Sequence, residues 1–128
     1  MSLKEKLQVM VVDDMSTSRG LIVQALDEIG IVNYRTENDG ASAWQRLIAQ
    51  PAHLVISDFN MPRMDGLQLL EALRTHSTTA RIGFILITGR ADKEVIERGQ
   101  RLAMNNFIKK PFNTPAMKSC IERVGGRL

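Results

Sequence analysis

Five polar side chains stand where short apolar runs of the sequence end: Asp13, Asp14, Asp58, Thr88 and Lys110. If the fold brings these ends together, three carboxylates, a hydroxyl and an ammonium group share one site. Carboxylates that lie close together repel each other, so such a cluster needs a cation. Hard oxygen ligands without histidine or cysteine suit Mg²⁺, which commonly takes one or two carboxylates, several waters and a phosphate oxygen.

The elements that must position these side chains alternate along the chain. Apolar or alternating runs predict strands at 9–12, 32–36, 54–56, 84–87 and 106–109. Apolar residues at helical spacing follow each run, for example Leu21, Ile22, Ala25, Leu26 and Ile29. Five strand–helix units with short connections predict an α/β fold, in which helices cover both faces of a doubly wound parallel sheet.

The strand composition predicts the order of this sheet. The runs at 9–12, 54–56 and 84–87 are wholly apolar, which is typical of central strands that are buried on both faces. The runs at 32–36 and 106–109 contain polar residues and are expected at the edges. This gives the flavodoxin-like order 2-1-3-4-5, in which ligands bind beyond the carboxyl ends of the first and third strands. The five polar side chains are therefore predicted to lie on one rim.

A less specific interpretation exists for single residues of this kind, because an aspartate after a strand is most often a helix cap. We expect such caps at Ser16, Asp39, Asp92 and Asn113. Three acids, a hydroxyl and an ammonium group at four different strand ends are hard to obtain by chance, which favours a site.

Length and composition indicate one globular domain over residues 1–128, without an attached effector domain. The single cysteine, Cys120, excludes an internal disulfide and favours a reducing compartment. No signal peptide or apolar run of membrane-spanning length is evident, so we expect a cytoplasmic protein without membrane contact. Cys120, Met61 and Met64 are expected to pack, Trp44 to be half-buried, and the isolated His53 and His76 not to bind metal.

The net charge of +3 is distributed unevenly. Residues 1–80 hold 7 Lys/Arg and 10 Asp/Glu, a net charge of −3, whereas residues 81–128 hold 10 and 4, a net charge of +6. No basic run exceeds two residues and the aromatic residues do not interleave with a basic stripe, which argues against nucleic-acid binding. The second part is better suited to an acidic protein partner.

Four stretches carry a resemblance to a known family: residues 11–19, 57–66, 87–89 and 107–112. They resemble the receiver domain of two-component response regulators, and the likeness extends from about Leu7 to Val124. The stretch from Asp58 to Gly66, which reads DFNMPRMDG, is the most specific of them. Within the family, single-domain chemotaxis receivers are the most similar.

The resemblance implies a role for each site residue. Asp58 would accept a phosphoryl group from a histidine kinase, forming an aspartyl phosphate. Asp13, Asp14, Asp58 and the backbone carbonyl of Asn60 would bind Mg²⁺. Lys110 would contact the phosphoryl oxygens as a compact charge.

The resemblance also implies how the signal would spread. The peptide bond before Pro111 would be cis and would direct Lys110 inward. Thr88 would donate its hydroxyl to the phosphoryl group. Phe107 matches the aromatic switch residue that responds to movement of Thr88, and partners would read the face of residues 90–124.

Three positions depart from the pattern of the family. Phe107 stands where chemotaxis members often have tyrosine, which leaves switching by packing alone. Arg90 replaces an acidic residue that is common in similar receivers, and with Asn60 it would border the path of attacking water. The usual glycine turn before the last strand is replaced by residues 102–106, where Asn105 is expected to adopt the left-handed conformation.

The resemblance implies a stand-alone, monomeric signalling protein that catalyses only its own phosphorylation and dephosphorylation. The expected partners are a histidine kinase, a phosphatase and a target read after phosphorylation, with the flagellar motor switch as the favoured target. A phosphate sink or a relay outside motility would share every site residue.

Two other classes fit the sequence less well. An aspartyl-phosphate phosphatase enzyme of the haloacid dehalogenase type would need aspartate two residues after its nucleophile, where Met15 and Asn60 stand instead. A flavin-binding protein would need a hydroxyl-rich phosphate loop, which is missing.

Overall fold

The computed structural model describes residues 3–89, 92–126 and 128. Five strands alternate with helices in this part of the chain. The strands are β1 (Gln8–Val12), β2 (Asn33–Glu37), β3 (Leu54–Asp58), β4 (Gly83–Thr88) and β5 (Asn106–Lys109). The helices are α1 (Leu3–Lys6), α2 (Ser16–Ile29), α3 (Gly40–Ala49), α4 (Gly66–Arg74), α5 (Lys93–Arg101) and α6 (Thr114–Gly125).

The five strands form one parallel sheet in the order β2-β1-β3-β4-β5, which confirms the predicted topology. The apolar strands β1, β3 and β4 lie inside and the more polar β2 and β5 form the edges. The register pairs Val12 with Ser57 and Asp58 with Ile87. The carboxyl ends of the central strands therefore meet on one rim.

The sheet separates two hydrophobic cores. Side chains of successive strand residues point to opposite faces, so Val9 and Val11 enter one core and Met10 and Val12 enter the other. The first core is completed by α2 and α6, and the second by α3 and α4 with partly buried residues of α5. Each fully buried side chain of leucine size stabilises the fold by about 1.5–3 kcal/mol, so both faces of the sheet are held firmly.

Three of the four predicted helix caps are confirmed. The side chains of Asp39, Asp92 and Asn113 accept hydrogen bonds from the backbone of the first turns of α3, α5 and α6. The prediction for Ser16 is wrong, because Ser16 is the first helical residue of α2 and Met15 occupies the cap position without a side-chain hydrogen bond. The α4 helix begins with a capping box between Asp65 and Gln68, which we did not predict.

Two local predictions need correction. Leu21 belongs to the apolar stripe by spacing, yet it is 55% exposed at the edge of the helix face. In the turn before β5 the residue with positive φ is Ala103 (φ 61°), not Asn105. The Asn105 Oδ1 instead accepts a hydrogen bond from the backbone N–H of Phe84, which fixes the residue in another role.

The expected packing residues behave as predicted. Cys120 and Met61 are buried and Met64 and Trp44 are partly buried in the cores. Within the described residues, no helix is long and apolar enough to cross a membrane.

Candidate functional site

Three aspartates meet at the carboxyl ends of β1 and β3. One carboxylate oxygen from each of Asp13, Asp14 and Asp58 lies within 4.8 Å of the other two. Asp13 is fully buried and Asp58 is 5% exposed, whereas Asp14 is open to solvent. Asp58 is the last residue of β3, and Asp13 and Asp14 directly follow β1, so the sheet itself sets their spacing.

The turn after β1 fixes the Asp13 side chain from two sides. Its Oδ1 accepts a hydrogen bond from the backbone N–H of Met15 at 3.0 Å, and its Oδ2 accepts one from the Ser18 hydroxyl. The Arg19 guanidinium donates to the Asp13 backbone carbonyl at 2.8 Å. A buried carboxylate is stable only when its oxygens have such partners.

Lys110 enters the same site from the end of β5. Its Nζ lies 2.8 Å from Asp58 Oδ1 and donates a hydrogen bond to the Ser18 hydroxyl at 3.0 Å. The backbone N–H of Lys110 donates to the carbonyl of Thr88 at 2.9 Å. The peptide bond between Lys110 and Pro111 is cis, in agreement with the expectation. The ammonium group is thus directed at the acidic cluster.

Burial and charge act in opposite directions on Asp58. Burial raises the pKa of its carboxyl group, because the charged form loses hydration. The hydrogen bond and charge of Lys110 lower this pKa, and the charges of Asp13 and Asp14 raise it again. The net shift is upward, so one lysine does not compensate fully for burial and the two neighbouring acids.

The loop that follows Asp58 approaches the strand closely at Gly66. A Cβ atom on Gly66 would lie 2.5 Å from the backbone oxygen of Asp58 and 2.8 Å from Leu86 Cδ1. Any side chain here would collide with the backbone of Asp58. Gly66 therefore lets the start of α4 pack against the end of β3.

The remaining predicted residues lie around this cluster at different depths. Thr88 is 2% exposed at the end of β4, the strand beside Asp58. Phe107 is half-buried in β5, opposite Leu86, and packs into the second core rather than into the acidic site. Asn60 is exposed in the loop after β3. Arg90 lies outside the described residues.

Two residues that contact the site were not predicted from the sequence. Ser18 lies between Asp13 and Lys110, and Arg19 contacts the backbone of Asp13. The only sequence signal is their place in the first turn of the helix after the paired aspartates. Nothing in the sequence indicates that Lys110, 92 positions away from Ser18, contacts it.

The donor set fits a hard divalent cation. Three carboxylates offer only oxygen, and the charges of Asp13 and Asp14 add to burial in raising the pKa of Asp58. Mg²⁺ prefers such ligands and would relieve this repulsion.

The fold and the acidic rim match a known class of signalling domain. The model of the response regulator receiver domain matches residues 9–122, so the chain belongs to this family. Receiver domains are signalling proteins and not conventional enzymes.

Relatives within the family refine this class. The chain is 43% identical over 128 residues to a probable chemotaxis protein CheY of Rhizobium etli, covering 100% of this chain and 99% of the relative. It is 29% identical over 126 residues to the chemotaxis protein CheY-3 of Vibrio cholerae, covering 98% and 97%. The solved structure of chemotaxis protein CheY4 of Vibrio cholerae matches with a TM-score of 0.85 at 26% identity, covering 92% and 98%. The chain is therefore a CheY-like response regulator receiver.

Proposed function

We propose that this chain is a phosphorylation-controlled switch whose Asp58 accepts a phosphoryl group from a histidine kinase in a Mg²⁺-dependent reaction. The observation that carries the proposal is the 2.8 Å ion pair between Lys110 and the nearly buried Asp58, beside Asp13 and Asp14. This arrangement combines a nucleophile, a fixed cation and oxygen ligands for a metal, which are the requirements of phosphoryl transfer.

In the transfer step, a carboxylate oxygen of Asp58 attacks the phosphorus of a phosphohistidine. The new P–O bond forms while the P–N bond breaks, and its electron pair leaves with the imidazole, which takes a proton from solvent. Lys110 favours the ionised, nucleophilic form of Asp58 and then contacts the phosphoryl oxygens. Asp13, Asp14, Asp58 and the Asn60 carbonyl would hold Mg²⁺, which when bound supplies positive charge to the transferring group.

The output step begins at Thr88. Its hydroxyl would donate to a phosphoryl oxygen on Asp58, because β4 and β3 are adjacent and Thr88 lies one residue beyond the partner of Asp58. The backbone of Thr88 is bound to that of Lys110, so movement of one loop affects the other. Phe107 packs beside this region and would change its rotamer when Thr88 moves.

The charge of the chain and the names of its relatives support an acidic protein target in chemotaxis. The segment from residue 81 onward carries a net charge of +6, which suits an acidic protein surface. Two relatives are named chemotaxis proteins, which supports a flagellar motor switch protein as the target.

The transfer is tested with Mg²⁺ and a small acyl-phosphate donor, followed by the intact mass of the protein. We expect one phosphoryl group on the wild type, none on Asp58→Asn and none when a chelator removes Mg²⁺. A folded wild-type sample that gains no mass would contradict the proposal.

The target is tested by binding of a purified motor switch protein to both forms of the chain. We expect tighter binding of the phosphorylated form, by about tenfold or more. Equal affinity of the two forms would overturn the motor assignment and favour a phosphate sink or a relay outside motility.

A further inference from the structure

The Ser18 hydroxyl lies between Asp13 and Lys110 in the site. It lies in the first turn of α2, donates to Asp13 Oδ2, and accepts from Lys110 Nζ at 3.0 Å. Lys110 in turn lies 2.8 Å from Asp58 Oδ1. A continuous series of polar contacts therefore joins Asp13 to Asp58 through one hydroxyl and one ammonium group.

Chemistry fixes the direction of these contacts. An ammonium group has only donors and an ionised carboxylate has only acceptors, whereas a hydroxyl has one donor and two lone pairs. Ser18 must therefore accept from Lys110 and donate to Asp13. One side chain of this type satisfies both neighbours, and an alanine in its place satisfies neither.

The contact has a consequence on each side. On the side of Asp13, Ser18 and the Met15 N–H hold the two carboxylate oxygens in one orientation. Hydrogen bonds of this kind to a metal-binding carboxylate commonly change metal affinity strongly. On the side of Lys110, the hydroxyl holds the end of a long flexible side chain beside Asp58, which reduces the entropy lost when the phosphoryl group is bound.

We propose that Ser18 is a positioning residue that holds Asp13 for Mg²⁺ and Lys110 for the phosphoryl group. This inference rests on the proposed function for its second half, whereas its first half concerns metal binding alone. Ser18 does not itself act as nucleophile or base, since its hydroxyl proton is already committed to Asp13.

The first test is Mg²⁺ affinity measured by calorimetric titration of the full chain. We expect Ser18→Ala to weaken binding about fivefold, because a hydrogen bond to a charged group is lost. Ser18→Thr keeps the hydroxyl and is expected to restore affinity to within about twofold. Ser16→Ala removes a hydroxyl from an exposed residue of the same helical turn and serves as the matched control.

The second test is the rate of phosphorylation by a small acyl phosphate at saturating Mg²⁺. We expect Ser18→Ala to be about fivefold slower than the wild type and Ser18→Thr to be close to it. In a Lys110→Ala background, Ser18→Ala should slow phosphorylation by less than about twofold, because Ser18 acts through Lys110.

The outcomes separate the two proposals. If the wild type is phosphorylated and Ser18→Ala matches it in both affinity and rate, the role of Ser18 is wrong and the proposed function stands. If Ser18→Ala still slows phosphorylation about fivefold in the Lys110→Ala background, Ser18 does not act through Lys110. If the wild type takes no phosphoryl group, the proposed function fails, and the Mg²⁺ titration still decides whether Ser18 positions Asp13.

Discussion

Two partly buried cations hold opposite ends of the sheet, and their surroundings differ. Lys110 lies at the carboxyl ends of the strands, where it faces the carboxylate of Asp58. Arg74 lies at the amino ends, in the last turn of α4, and its partners are uncharged. It donates four hydrogen bonds, to the carbonyl oxygens of Ala80, Ile82 and Ala103 and to Asn105 Oδ1.

The surroundings of Arg74 serve the stability of the fold, whereas those of Lys110 serve its function. The hydrogen bonds of Arg74 join the end of α4 to the segment before β4 and to the turn before β5, and burial lowers the pKa of its guanidinium. Around Lys110, the ammonium group pairs with Asp58 while Asp13 and Asp14 lie close by, and burial raises the pKa of Asp58. At the amino ends, protein groups accept the hydrogen bonds of the cation. At the carboxyl ends, negative charge is in excess, which favours binding of a metal ion.

The largest expected effect comes from removing the cation at the amino ends. We expect Arg74→Met to lower the free energy of unfolding by about 3 kcal/mol, because four acceptors lose their donor together. Thermal unfolding should show a midpoint lower by about 10 °C. The exposed Arg81→Met is the matched control and should change the midpoint little. If the two substitutions lower the unfolding midpoint equally, the hydrogen bonds of Arg74 do not stabilise the amino ends of the sheet.

The opposite sign is expected at the carboxyl ends. The pKa of Asp58 is raised in the folded protein, so its ionisation costs stability as the pH rises through that pKa. Asp58→Asn should therefore stabilise the fold at pH 7, by about 1 kcal/mol, when a chelator keeps Mg²⁺ away. Chemical denaturation should show this gain disappear below about pH 4, where the wild-type carboxyl group is protonated in both states.

Mg²⁺ provides the control for that result. A metal that binds the folded wild type raises its stability and should reduce or reverse the advantage of Asp58→Asn. A destabilising effect of Asp58→Asn at pH 7 without Mg²⁺ would mean that the ion pair with Lys110 outweighs burial and repulsion.

Among the described residues, two residues other than glycine have positive φ: Arg63 (φ 67°) in the loop after β3, and Ala103 (φ 61°), whose carbonyl accepts from Arg74. We expect Ala103→Gly to stabilise the fold by about 0.5 kcal/mol, because relief of the left-handed strain slightly exceeds the entropy that glycine adds to the unfolded chain. Differential scanning calorimetry should show a rise of about 2 °C.

The corresponding Arg63→Gly change should give a smaller gain. Arg63 helps to lower the pKa of Asp39, which caps α3, so its removal also weakens a favourable charge interaction. A loss of stability on Ala103→Gly would show that the turn does not strain its alanine.

Alkylation of Cys120 is expected to change least, and it reports how often the fold opens in the other variants. Burial raises the pKa of the Cys120 thiol to about 11, so it should react with alkylating reagents at pH 8 only when the fold opens. Alkylation rates followed by mass spectrometry should increase in Arg74→Met and decrease in Asp58→Asn without Mg²⁺. Complete and rapid alkylation in denaturant is the control, and rapid alkylation of the native wild type would contradict the burial.

Much of the fold could be predicted because its signals are local. Three wholly apolar runs indicate central strands, and their order places Asp13, Asp14 and Asp58 on one rim. Strand ends differ from the prediction by one or two residues, as for β2, which covers Asn33–Glu37 and not 32–36. The α1 helix, Leu3–Lys6, was missed because four residues are too few to show a period.

The errors concern contacts that depend on tertiary structure. Ser16 has the right type for a cap, but the residue that binds Asp13 is Ser18, two residues further along α2. Asn105 tolerates positive φ, yet its amide oxygen is taken by Phe84 and Arg74, which leaves the left-handed position to Ala103. Composition cannot reveal such competition for one donor or acceptor.

The most direct test is to locate the phosphoryl group among the three carboxylates. After incubation with Mg²⁺ and a small acyl phosphate, borohydride reduces an aspartyl phosphate to homoserine, which peptide mass spectrometry identifies. We predict conversion at Asp58 alone, and none when Mg²⁺ is chelated. Conversion at Asp13 or Asp14, or no conversion in the folded wild type, would contradict the assignment of Asp58 as the acceptor.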